Sequence, residues 1–81
     1  MGSPQPIDVG TLSPLAWRLL RVAAGYDQRA VEREVDGVLQ AHVSMLERGT
    51  RALSLSRRRT LFELYAADLT PEQIEAIAKN F

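Results

Sequence analysis

The chain has 81 residues, 46% of them hydrophobic and 25% charged, and it contains no cysteine. A chain this short buries only about 60% of its unfolded surface, which allows one core and leaves nothing for a second domain. No apolar run approaches the roughly 20 residues needed to cross a bilayer, and without cysteine neither disulfides nor thiolate zinc sites can staple the fold. The composition is that of a water-soluble globular chain held together by helix packing or by a partner chain, with a cytoplasmic location expected.

Ten basic residues balance ten acidic ones, but unevenly. From Arg18 to Arg59 nine arginines stand against five acids, whereas from Leu61 to Phe81 the single base Lys79 stands against four acids. A surface that lies on phosphate needs local positive charge and not a positive whole, so nucleic acid stays open as a partner.

The opening "MGSPQPIDVG" has neither a basic start nor an apolar core, so no secretory leader is expected, and residues 1–12 read as a flexible arm. Ser13-Pro14 then announces a first helix, a side-chain oxygen for the free amides followed by a proline whose missing N–H costs nothing there. It is predicted over Pro14 to Ala24, ending at Gly25, with Leu15, Leu19, Leu20, Val22 and Ala23 facing inward. Asp27 is a cap for a second helix, Gln28 to Val35, burying Val31 and Val35. "VDG" breaks it, and a third helix is predicted from Leu39 to Arg48, with Val43 and Leu46 inward, Gln40, His42 and Ser44 largely outward, and Gly49 as its stop.

"TRALSLS" reads as a loop and Ser56 as the cap of a fourth helix, Arg57 to Ala67, with Leu61, Phe62, Leu64 and Tyr65 feeding the core. Thr70, Pro71 and Gln73 form the strongest start signal in the chain, a capping box with proline at the first position. The fifth helix places Ile74, Ile77 and Phe81 at i, i+3 and i+7, an apolar stripe that can dock on its own domain or on a second copy. Trp17, Tyr26 and Tyr65 are expected in the core or at a dimer contact. The fold class is therefore all-α, with five helices in a bundle: an arm over 1–12, a domain over 13–68 and a terminal helix over 69–81.

Two short helices joined by a tight glycine turn, the second closed by another glycine, match the helix-turn-helix arrangement. From "LLRVAAGYDQ" through "VSMLERG" to "RTLFELY" the chain resembles the XRE family of phage-repressor and Cro-like DNA-binding proteins. The resemblance rests on Arg21, Gly25 and Gln28, then on Gln40, Val43, Leu46, Glu47 and Gly49. It implies a lambda-repressor-like fold and a transcriptional regulator, most often a repressor, whose third helix reads the major groove. Further implications are a structural pair between Arg21 and Glu47, and base contacts from Gln40, Ala41, His42, Ser44 and Met45. Phosphate contacts would come from Gln28, Arg29, Arg48, Arg51, Arg57 and Arg58. Glutamine suits base reading because its amide matches N6 and N7 of adenine with a donor and an acceptor.

Two departures stand out. The interval from Gln28 to Gln40 is one residue longer than the commonest family pattern, and Glu32 occupies a position where alanine is usual. Because one helix reads few bases, a homodimer on palindromic duplex DNA is expected, with Ile74, Ile77 and Phe81 as its contact. The rival expectation is a protein-interaction module of the same fold, an antitoxin or adaptor, in which DNA binding is secondary or absent. No catalytic group, metal site, cofactor or small-molecule ligand is expected: the single His42 has no second histidine or cysteine to join it.

Overall fold

The computed structural model describes residues 7–81, which form five α-helices and one 3-10 turn, with no strand among them. The turn at Val9–Thr11 precedes α1 (Pro14–Ala24), α2 (Gln28–Glu34), α3 (Gln40–Arg48), α4 (Leu55–Ala66) and α5 (Pro71–Asn80). Ser13 Oγ accepts the Ala16 N–H at 3.0 Å and opens α1. Asp27 Oδ1 accepts the Ala30 N–H at 2.7 Å and opens α2. At α5 the capping box is complete, Thr70 Oγ1 taking the Gln73 N–H at 3.1 Å while Gln73 Oε1 takes the Thr70 N–H at 2.8 Å.

Four boundaries move, the smallest change being the end of α4 at Ala66 instead of Ala67. α2 stops at Glu34, because Val35 is already extended (φ −122°, ψ 111°). α3 begins at Gln40, with Leu39 extended in the cap position. α4 begins at Leu55, two residues before the predicted start, because Ser54 and not Ser56 caps it: its Oγ accepts the Arg57 N–H at 3.2 Å. Leu53 is half-buried against the core immediately before, so the chain is anchored there and Ser54 supplies the next available oxygen. The N-terminal side differs as well. Asp8 Oδ1 accepts the Gly10 N–H at 2.9 Å, and Val9 and Leu12 pack against the core, so residues 7–12 of the predicted arm belong to the fold. Residues 1–6 of that arm lie outside the described residues.

The core gathers Ala16, Trp17 and Leu20 from α1, Val31 and Val35 from α2 and its end, Val38 from the following turn, Val43 and Leu46 from α3, and Leu61 and Tyr65 from α4. Trp17 and Tyr65 meet edge to face at 6.4 Å between ring centres, the arrangement their quadrupoles favour. The buried face of α1 is thus rotated from the predicted one: Leu20 is inside, but Leu15 and Val22 are 47% and 55% exposed. Large Trp17 takes the inward direction, and the small Ala16 beside it lets the neighbouring helices approach. Ile74 and Ile77 of the C-terminal stripe are half-buried against this core, whereas Phe81 is 55% exposed. The Ser13 hydroxyl that caps α1 also donates to the Phe81 carbonyl at 2.6 Å, tying the end of the chain to the foot of α1.

α1 packs against α3, α4 and α5, and α2 packs against α3. Gly49 closes α3 at φ 75°, and a Cβ there would lie 3.1 Å from Pro14 Cγ, a contact tight enough that the proline ring would have to shift. Among the described residues no helix is long and apolar enough to cross a membrane.

Candidate functional site

α3 is a nine-residue helix, and at about 100° per residue its faces separate cleanly. Val43 and Leu46 are buried. Opposite them lie Ala41, Ser44, Met45 and Arg48, with Gln40 and His42 on the two edges. Ala41, Gln40 and Arg48 are exposed, and Ser44, Met45 and His42 are half-buried. The only acid on the helix, Glu47, points away from this outer face.

The head of α3 is held by one group from α2 and one from its own first turn, because Leu39 in the cap position has no side-chain oxygen. Glu32 Oε2, from α2, accepts the Gln40 N–H at 2.9 Å, and His42 Nδ1 accepts the Leu39 N–H at 3.0 Å. A carboxylate placed here also complements the positive end of the helix dipole. Glu32, the residue that departs from the resembled pattern, therefore serves as the cap that Leu39 cannot be. Arg29 Nε donates to Gln40 Oε1 at 3.4 Å. A guanidinium only donates, so the Gln40 oxygen faces Arg29 and its NH2 turns away.

The other end of α3 is locked to α1. Arg21 Nε and Nη2 donate to the two Glu47 oxygens at 2.7 and 3.0 Å, and Arg21 Nη1 donates to the Tyr26 carbonyl at 2.8 Å. Only 11% of the Arg21 side chain and 5% of the Glu47 side chain are exposed. The Glu47 hydrogen bond raises the Arg21 pKa above its ordinary value. Gln28 Nε2 adds a third donor to Glu47 at 3.3 Å. The Gln28 amide, expected on phosphate, is thus directed inward.

Arginines border the outer face on both sides. On the α4 side, Arg51 and Arg57 line one cleft with His42 and Met45. The Arg57 guanidinium reaches across to the α2–α3 turn, where it lies 3.5 Å from the position a Cβ on Gly37 would take. Gly37 itself has φ 80°, a conformation that side chains resist. On the α1 side, Arg18 and Arg48 line another cleft with Ser44 and Gln28. Among the described residues the ion pairs are Arg21–Glu47 and Lys79–Glu75, which leaves Arg18, Arg29, Arg48, Arg51 and Arg57 without a carboxylate partner. Arg58 stands apart. It is half-buried in a cleft with Leu12, Trp17 and Leu46, and its Nε has no hydrogen-bond partner.

Of the six residues expected on phosphate, Arg29, Arg48, Arg51 and Arg57 therefore border the outer face of α3, while Gln28 and Arg58 turn inward. Sequence reasoning missed Arg18, which lies one turn before Arg21 and so on the same side of α1. It also missed the capping roles of Glu32 and His42, for which a cap position without an oxygen was the available signal. Among the described residues no group of histidines and carboxylates is placed to hold a metal.

No curated protein and no solved structure matches the chain. Residues 6–58, from the segment before the 3-10 turn through α3 and its bordering arginines into the first turns of α4, match the family described as a domain of unknown function, DUF8599. They make up about two thirds of the chain, which belongs to that family.

Proposed function

We propose that the protein is a sequence-specific DNA-binding regulator of the helix-turn-helix type, with α2 and α3 as the paired helices and α3 lying in the major groove. One observation carries the reading: the outer face of α3 is free of acids and is bordered by arginines that have no carboxylate partner among the described residues. Like charges held this close repel one another, and an array of phosphates offsets that repulsion. Arg57, in the first turn of α4, opposes the helix dipole in addition, so an external anion there is doubly favoured. The lock between Arg21 and Glu47 and the Glu32 cap fix both ends of α3, which pre-organises Gln40, Ala41 and Met45 for base edges.

A helix of nine residues spans few base pairs, and a second copy extends the site. Of the exposed large apolar side chains Leu15, Val22, Leu39, Leu55 and Phe81, Leu15 and Val22 lie two turns apart on one side of α1 and Phe81 is tied to the foot of that helix. We place the homodimer contact there, with Phe81 the one member of the predicted C-terminal stripe that remains available. Transcriptional repression follows as the simplest use of such a dimer on a palindromic operator.

The test is titration of a mixed-sequence duplex at two salt concentrations. Affinity of the wild type falls with salt, and Arg51→Ala and Arg57→Ala each flatten the log–log slope by about one. Slopes unchanged in both variants would refute the assignment of that flank to DNA.

A further inference from the structure

On the flank of α3 away from Arg51 and Arg57, residues of α1, α2 and α3 enclose a cleft of about 200 Å³ lined by Arg18, Arg21, Gln28, Ser44, Glu47 and Arg48. Its floor is the Arg21–Glu47 pair. The Glu47 oxygens already accept three hydrogen bonds, from Arg21 Nε, Arg21 Nη2 and Gln28 Nε2, so the floor offers no unbalanced negative charge. The rim carries Arg18 and Arg48, both exposed and both without a carboxylate partner among the described residues. Ser44 lies one turn before Arg48 on α3, so its hydroxyl stands on the same side of the helix. Taken together the six side chains carry three positive charges and one negative.

We propose that this cleft is a seat for a single phosphodiester of the DNA backbone, clamped by the Arg18 and Arg48 guanidiniums with the Ser44 hydroxyl as a third donor. The proposal rests on the major-groove reading of α3 and adds to it a discrete site and a residue, Arg18, outside the motif that suggested that reading. Each guanidinium is a planar fork of N–H donors that matches the paired non-bridging oxygens of a phosphodiester. The lining contains no aromatic ring, so no surface is available to stack a free nucleotide base. With Arg51 and Arg57 on the opposite flank, the two arginine groups straddle α3 as the two phosphate backbones straddle a major groove about 12 Å wide. Ser44 then positions the backbone and carries no base information.

The test is titration of mixed-sequence duplex, and of a polyglutamate peptide, with the wild type, Arg18→Ala and Ser44→Ala. Arg18 is exposed, so its loss leaves the fold intact, which circular dichroism checks. Expected for Arg18→Ala is weaker binding by a similar factor on all duplexes, with a salt slope flatter by about one. Ser44→Ala weakens binding while the preferred sequence stays the same. Full affinity and an unchanged slope in Arg18→Ala, with the wild type still binding duplex, would overturn the seat and leave the α3 reading standing. Absence of wild-type binding to any duplex at low salt would overturn both. Tighter binding to polyglutamate than to duplex, lost in Arg18→Ala, would overturn the phosphodiester assignment in favour of an acidic protein partner.

Discussion

Glu47→Ala is the substitution with the largest structural consequence near the site. The carboxylate is 5% exposed and accepts three hydrogen bonds, so its removal strands a guanidinium that is itself only 11% exposed and leaves the Gln28 amide without a partner. Breaking a fully buried ion pair from one side costs about 3–5 kcal/mol. Arg21 keeps its bond to the Tyr26 carbonyl and borders an open cleft where water can reach it, which places the cost below that range, at about 2–3 kcal/mol. For a domain of this size each kcal/mol shifts Tm by about 4–8 °C, so the variant should melt roughly 10–20 °C below the wild type. Thermal and urea unfolding followed by circular dichroism measure this directly. The double variant Arg21→Met with Glu47→Leu removes both charges and should recover most of the loss, giving a large coupling term in the double-mutant cycle. A Glu47→Ala cost below about 0.5 kcal/mol would mean that the pair behaves as a screened surface contact, and the argument for a locked α3 would fail.

Other expectations follow from single contacts. Gly49→Ala combines a left-handed φ of 75° with a Cβ 3.1 Å from Pro14 Cγ; it should destabilise by about 1–2 kcal/mol or more, read as a lower urea midpoint. Burial raises the Tyr65 pKa above its ordinary value of 10.0, so the folded state keeps a proton that the unfolded chain loses. Its contribution is complete below pH 10 and is lost above it, at up to about 1.4 kcal/mol per pH unit. Tyr65→Phe should reduce that alkaline slope without abolishing it, because Tyr26, desolvated and beside Asp68, is raised as well. On the proposed major-groove reading, Gln40 presents a single donor to a base, because Arg29 holds its oxygen. Arg29→Ala should free the amide for the donor–acceptor match to adenine and sharpen preference there by about 1 kcal/mol, visible in sequences selected by the variant.

The ends of α1 and α5 were legible because Ser13-Pro14, Gly25 and Thr70-Pro71 are local signals whose chemistry acts within one turn. The start of α4 was not, since Ser54 and Ser56 are both competent caps and the choice fell to the burial of Leu53, a tertiary fact. The inner face of α1 was misread for a related reason. Leu15, Leu19 and Val22 form one stripe at helical spacing and Ala16, Trp17 and Leu20 form another, and the buried stripe contains the smaller residue. Val38 stands alone between the turn glycine and α3, so no period marked it for the core. In the site, α3 and the Arg21–Glu47 spacing were readable from the motif, whereas the Glu32 cap and the Arg18 cleft depend on how α1 and α2 lie against α3. The inward turn of Arg58 had no local signal either, because it is the cleft beside Trp17 that receives it.

Selection of bound sequences from a random duplex pool at near-physiological salt tests the central claim most directly. The account predicts recovery of a palindrome with half-sites about one turn of DNA apart, roughly 34 Å. A pool that shows no enrichment after repeated rounds would contradict sequence reading by α3.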